Sequence, residues 1–332
     1  MSATTPSCDR HDAAPADSES APTSVAPAES GAHRTASADP ALHRAGFVTL
    51  VGRPNVGKST LLNRLVGTKL AAVSAKPQTT RNRIVGILTR PQAQIVLVDT
   101  PGIHGGSTLL NARMVAAARQ SLGEGDVAML VVDGATGILP ADRDVAAEVR
   151  ARARVVAVNK SDAATQQMLL RTCAEVARLV PDAEIVPVSA LTGDNVERLL
   201  TLVEAALPEG PNLYPSDQVS EQSERFLAAE IVREQIVEQT RDELPYTTAV
   251  VVDTFREEPA RHLLVIQATI LVERATQKGI VIGERGRRIR DVGQAARLQL
   301  EAIFGCRVFL ELHVKVVREW SKDPRVLREL GL

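Results

Sequence analysis

One short stretch constrains the fold of this chain more than any other. It reads Gly52-Arg-Pro-Asn-Val-Gly-Lys58-Ser59 and matches the pattern G-x-x-x-x-G-K-[ST]. It follows a β-rich run and precedes a run with helical periodicity, which is the context that a phosphate-binding loop requires. The glycines allow backbone amides to surround phosphate oxygens, and Lys58 can span the β and γ phosphates. We therefore predict an α/β fold around a nucleotide-phosphate site, with the Ser59 hydroxyl as a ligand of Mg²⁺.

The runs around this loop predict a mostly parallel sheet with helices on both faces. Strands are predicted at 47–52, 83–89, 94–100, 127–133, 154–160 and 184–190, and helices at 61–66, 141–153, 166–180 and 196–206. Several strands are apolar almost throughout, which is expected where helices cover both faces of a sheet. The 83–89 and 94–100 runs are joined too briefly for a helical crossover, so this pair is predicted to be antiparallel.

Polar motifs follow three of these strands. Asp99-Thr-Pro-Gly102 ends the third, which places Asp99 near Mg²⁺ and allows the Gly102 amide to reach a γ-phosphate. Asn159-Lys-Ser-Asp162 ends the fifth, where a carboxylate can accept from guanine N1–H and the exocyclic amino group. Ser189-Ala-Leu191 ends the sixth and offers an amide to guanine O6. Ligands of open α/β sheets bind at the carboxyl ends of strands, so these motifs predict a guanine nucleotide site.

The rest of the chain predicts a smaller α+β domain. A Pro- and Ser-containing linker is predicted at 208–223 between a nucleotide domain at 46–207 and a second domain at 224–332, which includes an extension at its end. In the second domain we expect a helix at 224–242, strands at 247–255 and 263–273, a short helix at 277–282, a long helix at 288–304 and a strand at 307–317. Residues 1–45 contain no Leu, Ile or Phe before Leu42 and are predicted to be disordered.

A glycine turn between two helices is the informative feature of the second domain. Gly283-Glu-Arg-Gly286 lies between the short helix and the long one, which is the arrangement of a KH module that clamps about four nucleotides of single-stranded nucleic acid. The element order is that of a type II KH domain. Residues 221–332 contain 18 Lys and Arg and 18 Asp and Glu, so the domain is neutral as a whole. Five arginines nevertheless cluster at the turn and the helix after it, at positions 285, 287, 288, 290 and 297. Their alternative interpretation is a solvated helix face.

Composition excludes several other classes of protein. The chain is 44% hydrophobic and 24% charged with a net charge of −1, which is typical of a globular protein without a global basic field. The three cysteines are far apart and match no metal spacing. No apolar run approaches the ~18 residues that span a bilayer, and a secretory signal is not apparent. We therefore predict a cytoplasmic location.

From about Phe47 to Leu332 the chain resembles the Era family, which joins an Era- and TrmE-type G domain to a type II KH domain. The stretch Gln277-Lys-Gly-Ile-Val-Ile-Gly-Glu-Arg-Gly286 is especially similar, and Gln78-Thr-Thr-Arg81 resembles the family's first switch. The resemblance implies GTP hydrolysis, binding of the 3′ end of small-subunit ribosomal RNA, assistance in small-subunit maturation, and peripheral association with the cytoplasmic face of the cell membrane. We expect a monomer.

The resemblance also implies how hydrolysis proceeds. Thr80, with Thr79 as the second choice, supplies the hydroxyl that closes on Mg²⁺ in the GTP state. Ile103 stands where Ras-like enzymes place a glutamine and cannot orient water. In this group a K⁺ ion near the phosphates is coordinated by the asparagine of the phosphate loop, here Asn55; the alternative is that Asn55 only shapes the loop.

The predicted site residues are as follows. Those expected to act in hydrolysis are Lys58, Asn55, Thr80 and Gly102, with Ser59, Thr80 and Asp99 on Mg²⁺ and Asn55 on K⁺. Those expected to contact GTP are Gly52, Arg53, Pro54, Asn55, Val56, Gly57, Lys58, Ser59, Thr60, Asp99, Thr100, Pro101, Gly102, Ile103, Asn159, Lys160, Asp162, Ser189 and Ala190. Those expected to contact RNA are Ile282, Gly283, Glu284, Arg285, Gly286, Arg287, Arg288 and Arg290.

Two alternative functions remain open at this point. One is a GTPase with another RNA-related task, such as tRNA modification or a different step of ribosome assembly; the Gly283–Gly286 turn and the single G domain argue against it. The other is an RNA-binding protein with a vestigial nucleotide site, against which the set Lys58, Ser59, Asp99 and Asp162 argues.

Overall fold

The computed structural model describes residues 43–332 except 75–79, 103–108 and 241–243, and also omits the side chains of residues 111, 245 and 246. Of the segment 1–45 that is predicted to be disordered, residues 1–42 therefore lie outside the described residues. The first strand already begins at Arg44, slightly before the predicted end of that segment.

The nucleotide-binding part alternates strands and helices. Its strands are β1 (Arg44–Val51), β2 (Ile84–Arg90), β3 (Ala93–Asp99), β4 (Val127–Asp133), β5 (Ala153–Asn159) and β6 (Glu184–Pro187). Its helices are α1 (Lys58–Val66), α2 (Leu109–Glu124), α3 (Pro140–Val149), α4 (Gln166–Leu179) and α5 (Val196–Ala206). The strands form one sheet in the order β2-β3-β1-β4-β5-β6, in which only the β2–β3 pair is antiparallel among the described strands.

Apolar clusters lie on both faces of this sheet, which confirms the predicted fold class. One cluster includes Leu61 of α1 and Leu199 of α5, and the other includes Val145 of α3 and Val176 of α4. Every residue of β3 and β4 is buried, as expected for strands with helices on both sides.

Some predicted boundaries were wrong. The third helix ends at Val149 and not at position 153, because the chain turns at 150–152 and Ala153 already pairs with β4 as the start of β5. The sixth strand ends at Pro187, so Ser189 and Ala190 lie in the following loop and not in the strand. The helix α2 was not predicted.

The second part contains a three-stranded sheet with helices against it. Its elements are α6 (Glu224–Gln239), α7 (Leu244–Thr247), β7 (Thr248–Glu258), β8 (Leu263–Val272), α8 (Ala275–Ile282), α9 (Arg287–Phe304), β9 (Arg307–Val316) and α10 (Pro324–Glu329). Strand β8 is central, antiparallel to β7 and parallel to β9. Residues of α6 and α9, including Ile231 and Ala296, share one apolar core with the sheet. This order agrees with the predicted type II KH arrangement.

Residues 208–223 lie along the edge of the first sheet. The amide of Ile87 donates to the carbonyl of Val219 at 2.9 Å, beside the edge strand β2. The buried Gln94 side chain accepts from the amides of Leu213 at 2.7 Å and Tyr214 at 2.8 Å, and donates to the Tyr214 carbonyl at 2.9 Å. The segment thus covers a strand edge whose polar groups would otherwise be open to pairing.

The last described residues pack between the two parts of the chain. A separate apolar cluster joins α2 to the second sheet and to α10; its buried members are Leu110, Met114, Ala249, Leu271, Trp320 and Leu327. Within the described residues, we find no helix with the length and apolarity that crossing a membrane would require.

Candidate functional site

The loop between β1 and α1 is shaped by glycines that leave no room for side chains. A Cβ atom on Gly52 would lie 2.3 Å from the carbonyl oxygen of Val131, and one on Gly57 would lie 2.3 Å from Nδ2 of Asn159. Gly57 has φ 96° and precedes α1 without a side-chain cap. The first amides of α1 therefore remain available to an anion.

Lys58 lies folded across this loop. Its ammonium group donates to the carbonyls of Gly52 at 3.0 Å and Arg53 at 3.2 Å. Burial lowers the pKa of Lys58, and the nearby Asp99 partly offsets this. A buried ammonium at the opening of a glycine loop is placed to exchange these carbonyls for phosphate oxygens.

Three side-chain oxygens meet at the start of α1. Ser59 Oγ lies 2.6 Å from Thr80 Oγ1 and donates to Asp99 Oδ2 at 2.6 Å, while Thr80 Oγ1 donates to the same oxygen at 3.3 Å. Asp99 is fully buried, and its Oδ1 has no hydrogen-bond partner among the described residues. Burial raises the pKa of Asp99, and the charge of Lys58 and the two hydroxyl groups oppose the shift. Hard oxygen ligands with an unsatisfied buried carboxylate oxygen fit Mg²⁺.

The loop after β3 lies against the phosphate loop. A Cβ atom on Gly102 would lie 2.9 Å from Cγ of Pro54, so the two loops are as close as their backbones allow. Thr100 is buried and donates its hydroxyl to the carbonyl of Leu50 at 2.9 Å, which fixes the end of β3 on β1. The predicted residues Ile103, Gln78 and Thr79 lie outside the described residues.

Asn159 and Lys160 connect loops that come from different strands. Asn159 donates to the carbonyl of Val56 at 2.8 Å and accepts from the amide of Ala190 at 3.0 Å. Lys160 donates to Asp133 Oδ2 at 2.7 Å. Burial raises the pKa of Asp133, but the bond from Lys160 and two backbone amides outweigh it, so the net shift is downward. These side chains position the loops, and Asp133 was not among the predicted residues.

Asp162 lies exposed at the outer end of this group. One of its carboxylate oxygens accepts from the Ser189 hydroxyl at 2.6 Å. The Ser189 oxygen in turn accepts from the amide of Thr192 at 3.0 Å, and Arg64 donates to the carbonyl of Ala190 at 2.9 Å. The carboxylate is thereby oriented while it stays accessible to a base, as guanine recognition requires.

Arg53 and Asn55 of the phosphate loop make hydrogen bonds to residues outside the loop. Arg53 donates to Asp142 of α3 at 3.0 Å, so its guanidinium group faces an acidic pair and not the loop interior. Asn55 has φ 64°, a left-handed conformation that asparagine tolerates, and its carbonyl accepts from Lys160 at 2.8 Å. Arg53 can therefore contribute to a phosphate site through its backbone only.

The Gly283–Gly286 turn also requires its glycines. Gly283 has φ 73°, and a Cβ atom there would lie 2.6 Å from Cβ of Arg288. Gly286 has φ 75° with open space around it. Glu284, Arg285, Arg287 and Arg290 are exposed around the turn, and Ile282 is half-buried beside it.

Two of the five clustered arginines have partners within the domain. Arg288 donates to the carbonyl of Ile280 at 2.6 Å, which links the start of α9 to α8, and Arg297 pairs with Glu301 of the same helix at 2.8 Å. Each bond uses one guanidinium nitrogen, so the other N–H groups remain available.

Comparisons with known proteins find matches for both parts of the chain. Residues 47–160 match the family described as 50S ribosome-binding GTPase, and residues 243–321 match the KH domain. GTPase Era of Syntrophus aciditrophicus is 46% identical over 87% of this chain and 95% of its own length. GTPase Era of Geotalea daltonii is 48% identical over 86% and 97%. The chain belongs to the Era family of GTPases.

Solved structures of Era proteins have the same fold throughout. The crystal structure of an Aquifex aeolicus Era variant bound to GDP·AlF4⁻ matches with a TM-score of 0.81 at 40% identity, and covers 87% of this chain and 99% of that one. Era in complex with MgGDPNP and nucleotides 1506–1542 of 16S ribosomal RNA matches with the same score, identity and coverage. The predicted family, fold and GTPase activity are confirmed.

Proposed function

We propose that this Era-family GTPase binds the 3′ end of small-subunit ribosomal RNA through its KH domain and assists maturation of the small ribosomal subunit. The observation that carries the proposal is the presence in one chain of a phosphate loop with three converging oxygens and a glycine turn at the start of α9. The solved Era complex that contains both MgGDPNP and 16S ribosomal RNA supports it.

In the nucleotide site, we assign each predicted residue a role. Lys58 and the amides of 52–60 hold the β and γ phosphates, and the Gly102 amide approaches the γ-phosphate. Ser59, Thr80 and Asp99 hold Mg²⁺, which supplies charge neutralisation at the phosphates when bound. Asp162 selects guanine. Asn159, Lys160 and the 189–190 loop keep Asp162 and the surrounding loops in place.

A potassium ion completes this proposal. Asn55 lies at the tip of the phosphate loop, next to the opening formed by Lys58 and Thr80. Its side-chain oxygen is of the ligand type that K⁺ accepts, and a cation there would stabilise charge that develops on the transferred phosphoryl group. This would replace the glutamine that the chain lacks at Ile103.

On the KH domain, the exposed arginines and the two glycines would contact an RNA backbone. Glycine allows phosphates to approach the main chain, and Arg285, Arg287 and Arg290 supply charge-assisted hydrogen bonds. The bound GTP would order the first switch and the loop after β3 and so reposition the KH domain. The division at 46–207, 208–223 and 224–332, a monomeric state, a cytoplasmic location and peripheral contact with the cell membrane remain predictions.

A crossed pair of variants tests the two-site proposal. Gly286→Asp places a carboxylate and a Cβ in the turn, so affinity for an RNA oligonucleotide of the small-subunit 3′ end should fall at least ~10-fold. GTP hydrolysis without RNA should stay within about twofold of wild type, because the turn makes no contact with the nucleotide site among the described residues. Lys58→Ala should weaken GTP binding ~100-fold and leave the RNA-binding surface intact. Filter binding measures the affinity for RNA, and phosphate release measures GTP hydrolysis.

Gly305→Asp is the matched control for the first variant. Gly305 also has a positive φ, 65°, and open space around it, but it follows the opposite end of α9. It carries the same backbone strain and the same added charge, so it should bind RNA as wild type does. A loss of RNA binding in Gly305→Asp equal to that in Gly286→Asp would overturn the assignment of the turn.

A further inference from the structure

The KH domain contacts the nucleotide domain on both sides of residues 75–79, which lead to Thr80. On the near side, Lys69 and Val73 contact α6. On the far side, Arg81 contacts β7 and the residues after β9. Thr80, the candidate Mg²⁺ ligand, thus follows one contact and immediately precedes the other.

Glu234 of α6 makes the first contact. Its side chain is 4% exposed. One carboxylate oxygen accepts from the amide of Val73 at 2.8 Å, and the other accepts from the ammonium group of Lys69. Lys69 also donates to Gln299 Oε1 of α9 at 2.8 Å. Charge-assisted bonds to a buried carboxylate are among the stronger ones in proteins, so this contact fixes the backbone at 73 relative to α6.

Arg81 makes the second contact. It is 3% exposed, and it donates to the carbonyl of Thr248 in β7 at 2.9 Å. Its guanidinium carbon lies 5.8 Å from the ring centroid of Trp320, a distance at which a cation and an aromatic ring attract each other. The adjacent Asn82 donates to the carbonyl of Leu330 at 2.9 Å. The residue after Thr80 is therefore held by the KH domain.

We infer that Glu234, a residue of the KH domain, is a positioning residue for GTP hydrolysis: it holds the backbone at Val73, upstream of Thr80, and so helps to place the Thr80 hydroxyl for Mg²⁺. The inference rests on the proposed roles of Thr80 and Mg²⁺. Thr80 meets Ser59 and Asp99 through two hydroxyl hydrogen bonds, which are weak anchors for a chain segment, so its position depends on how Val73 and Arg81 are held on either side.

The contact between Glu234 and Lys69 also involves α9, the helix that follows the Gly283–Gly286 turn. Lys69 bridges Glu234 of α6 and Gln299 of α9, and α9 begins at the Gly283–Gly286 turn. A rearrangement of α9 on RNA binding would therefore change the environment of Lys69 and, through Glu234, the backbone at Val73. Coupling of this kind is reciprocal, so the nucleotide state would change RNA affinity by the same factor.

Three variants of the full-length protein test the inference. Glu234→Ala removes both acceptors, so kcat for GTP should fall about 10-fold and the Mg²⁺ concentration for half-maximal rate should rise by a similar factor. Affinity for GDP should change less than about twofold, because GDP has no γ-phosphate for Thr80 to close on. Glu234→Gln keeps an acceptor for the Val73 amide and loses the ion pair, so it should recover most of kcat. Glu238→Ala, on the exposed side of α6, is the control and should match wild type.

The outcomes separate a positioning role from a structural one. A fall in GDP affinity parallel to the fall in kcat, or an unchanged kcat in Glu234→Ala, would refute the inference. Glu234→Gln serves if the alanine variant does not fold. Because it loses the ion pair with Lys69, the Mg²⁺ concentration for half-maximal rate should still rise about twofold, and a value identical to wild type would refute the inference. A wild-type protein that hydrolysed GTP with Mg²⁺ but did not bind the small-subunit RNA would refute the proposed function and leave this inference standing.

Discussion

At the scale of single residues, the proposed function assigns base selection to Asp162. Its exposed carboxylate accepts from the Ser189 hydroxyl, and in the proposal it would accept two hydrogen bonds from guanine. Asp162→Asn replaces one acceptor with a donor, which suits xanthine, whose carbonyl stands where guanine has its amino group. Because bonds to a charged group are worth ~1.5–3 kcal/mol each, GTP affinity should fall about 100-fold or more, and affinity for xanthosine triphosphate should rise. Competition against a fluorescent nucleotide measures both affinities.

Asp182→Asn is the matched control for this prediction. Asp182 is exposed in the turn before β6, away from the residues that form the site. The same loss of charge there should leave both affinities unchanged. Equal weakening for guanine and xanthine nucleotides in Asp162→Asn would show that the residue supports the loop and does not read the base.

The candidate nucleotide residues could be picked out from the sequence because their motifs are local. Lys58, Asp99 and Asp162 each stand at or shortly after the end of a strand, where the sheet brings strand ends together. Asp133 and Arg64 were missed because their partners, Lys160 and the carbonyl of Ala190, are distant in sequence. For Asp133 the only sequence signal was an isolated Asp at the end of a predicted strand, and that signal is weak.

At the scale of elements, the phosphate loop allows a clean test of K⁺. Asn55 has a positive φ, so alanine there would strain the loop, but glycine adopts the same backbone conformation without cost in strain. Asn55→Gly therefore keeps the backbone conformation of the loop and removes the side-chain amide with its oxygen. If that oxygen holds K⁺, hydrolysis in K⁺ should drop about 10-fold, to the rate seen in Na⁺. Phosphate release in matched K⁺ and Na⁺ buffers measures the effect.

Asn195→Gly is the control for this substitution. Asn195 also has a positive φ, 56°, and precedes α5 far from the phosphate loop. This variant reports the general effect of replacing an asparagine in a left-handed conformation by glycine. Its GTP hydrolysis should still be stimulated by K⁺. If Asn55→Gly also retains full stimulation, the asparagine only shapes the loop.

The elements themselves were predictable where burial follows a simple period. The strand β4 is apolar in sequence and buried along its whole length, and α9 has buried residues at helical spacing, Val292, Ala296 and Leu300. The helix α2 has the same spacing in Leu110, Met114 and Ala118, but it was missed because alanines also lie on its exposed face, as at Ala116, so its apolar face does not stand out in the sequence. Part of its apolar partner surface belongs to the KH domain, which no local pattern reveals.

At the scale of the whole molecule, contacts between the two domains arise from residues far apart in sequence. Glu234 meets Val73 and Arg81 meets Thr248 without any local motif that could announce them. The sequence predicted the order of the two domains and their separate folds, because each domain has its own periodic pattern. It could not predict that the amide of Val73 is held by α6.

The segment 208–223 packs in the structure as part of the first domain, and its attachment can be tested at one side chain. Gln94 is fully buried and holds the amides of Leu213 and Tyr214 with one side-chain oxygen. Gln94→Leu keeps a side chain of similar length but removes the acceptor of two amides, on the exposed Leu213 and the half-buried Tyr214, so the free energy of unfolding should fall by about 0.5–1.5 kcal/mol. Denaturant unfolding measures the loss, and hydrogen exchange should accelerate at residues 213 and 214.

Gln92→Leu, in the exposed turn between β2 and β3, controls for the chemistry of the substitution and should leave both measurements unchanged. Helix α6 begins at Glu224, directly after this segment, and carries Glu234. The segment is also held on β2 by the bonds from Ile87 to Val219 and from Ser220 to Val85, so kcat for GTP should stay within about twofold of wild type. Unchanged exchange at Leu213 and Tyr214 would mean that the contacts along β2, such as Ile87 to Val219, are sufficient to hold the segment.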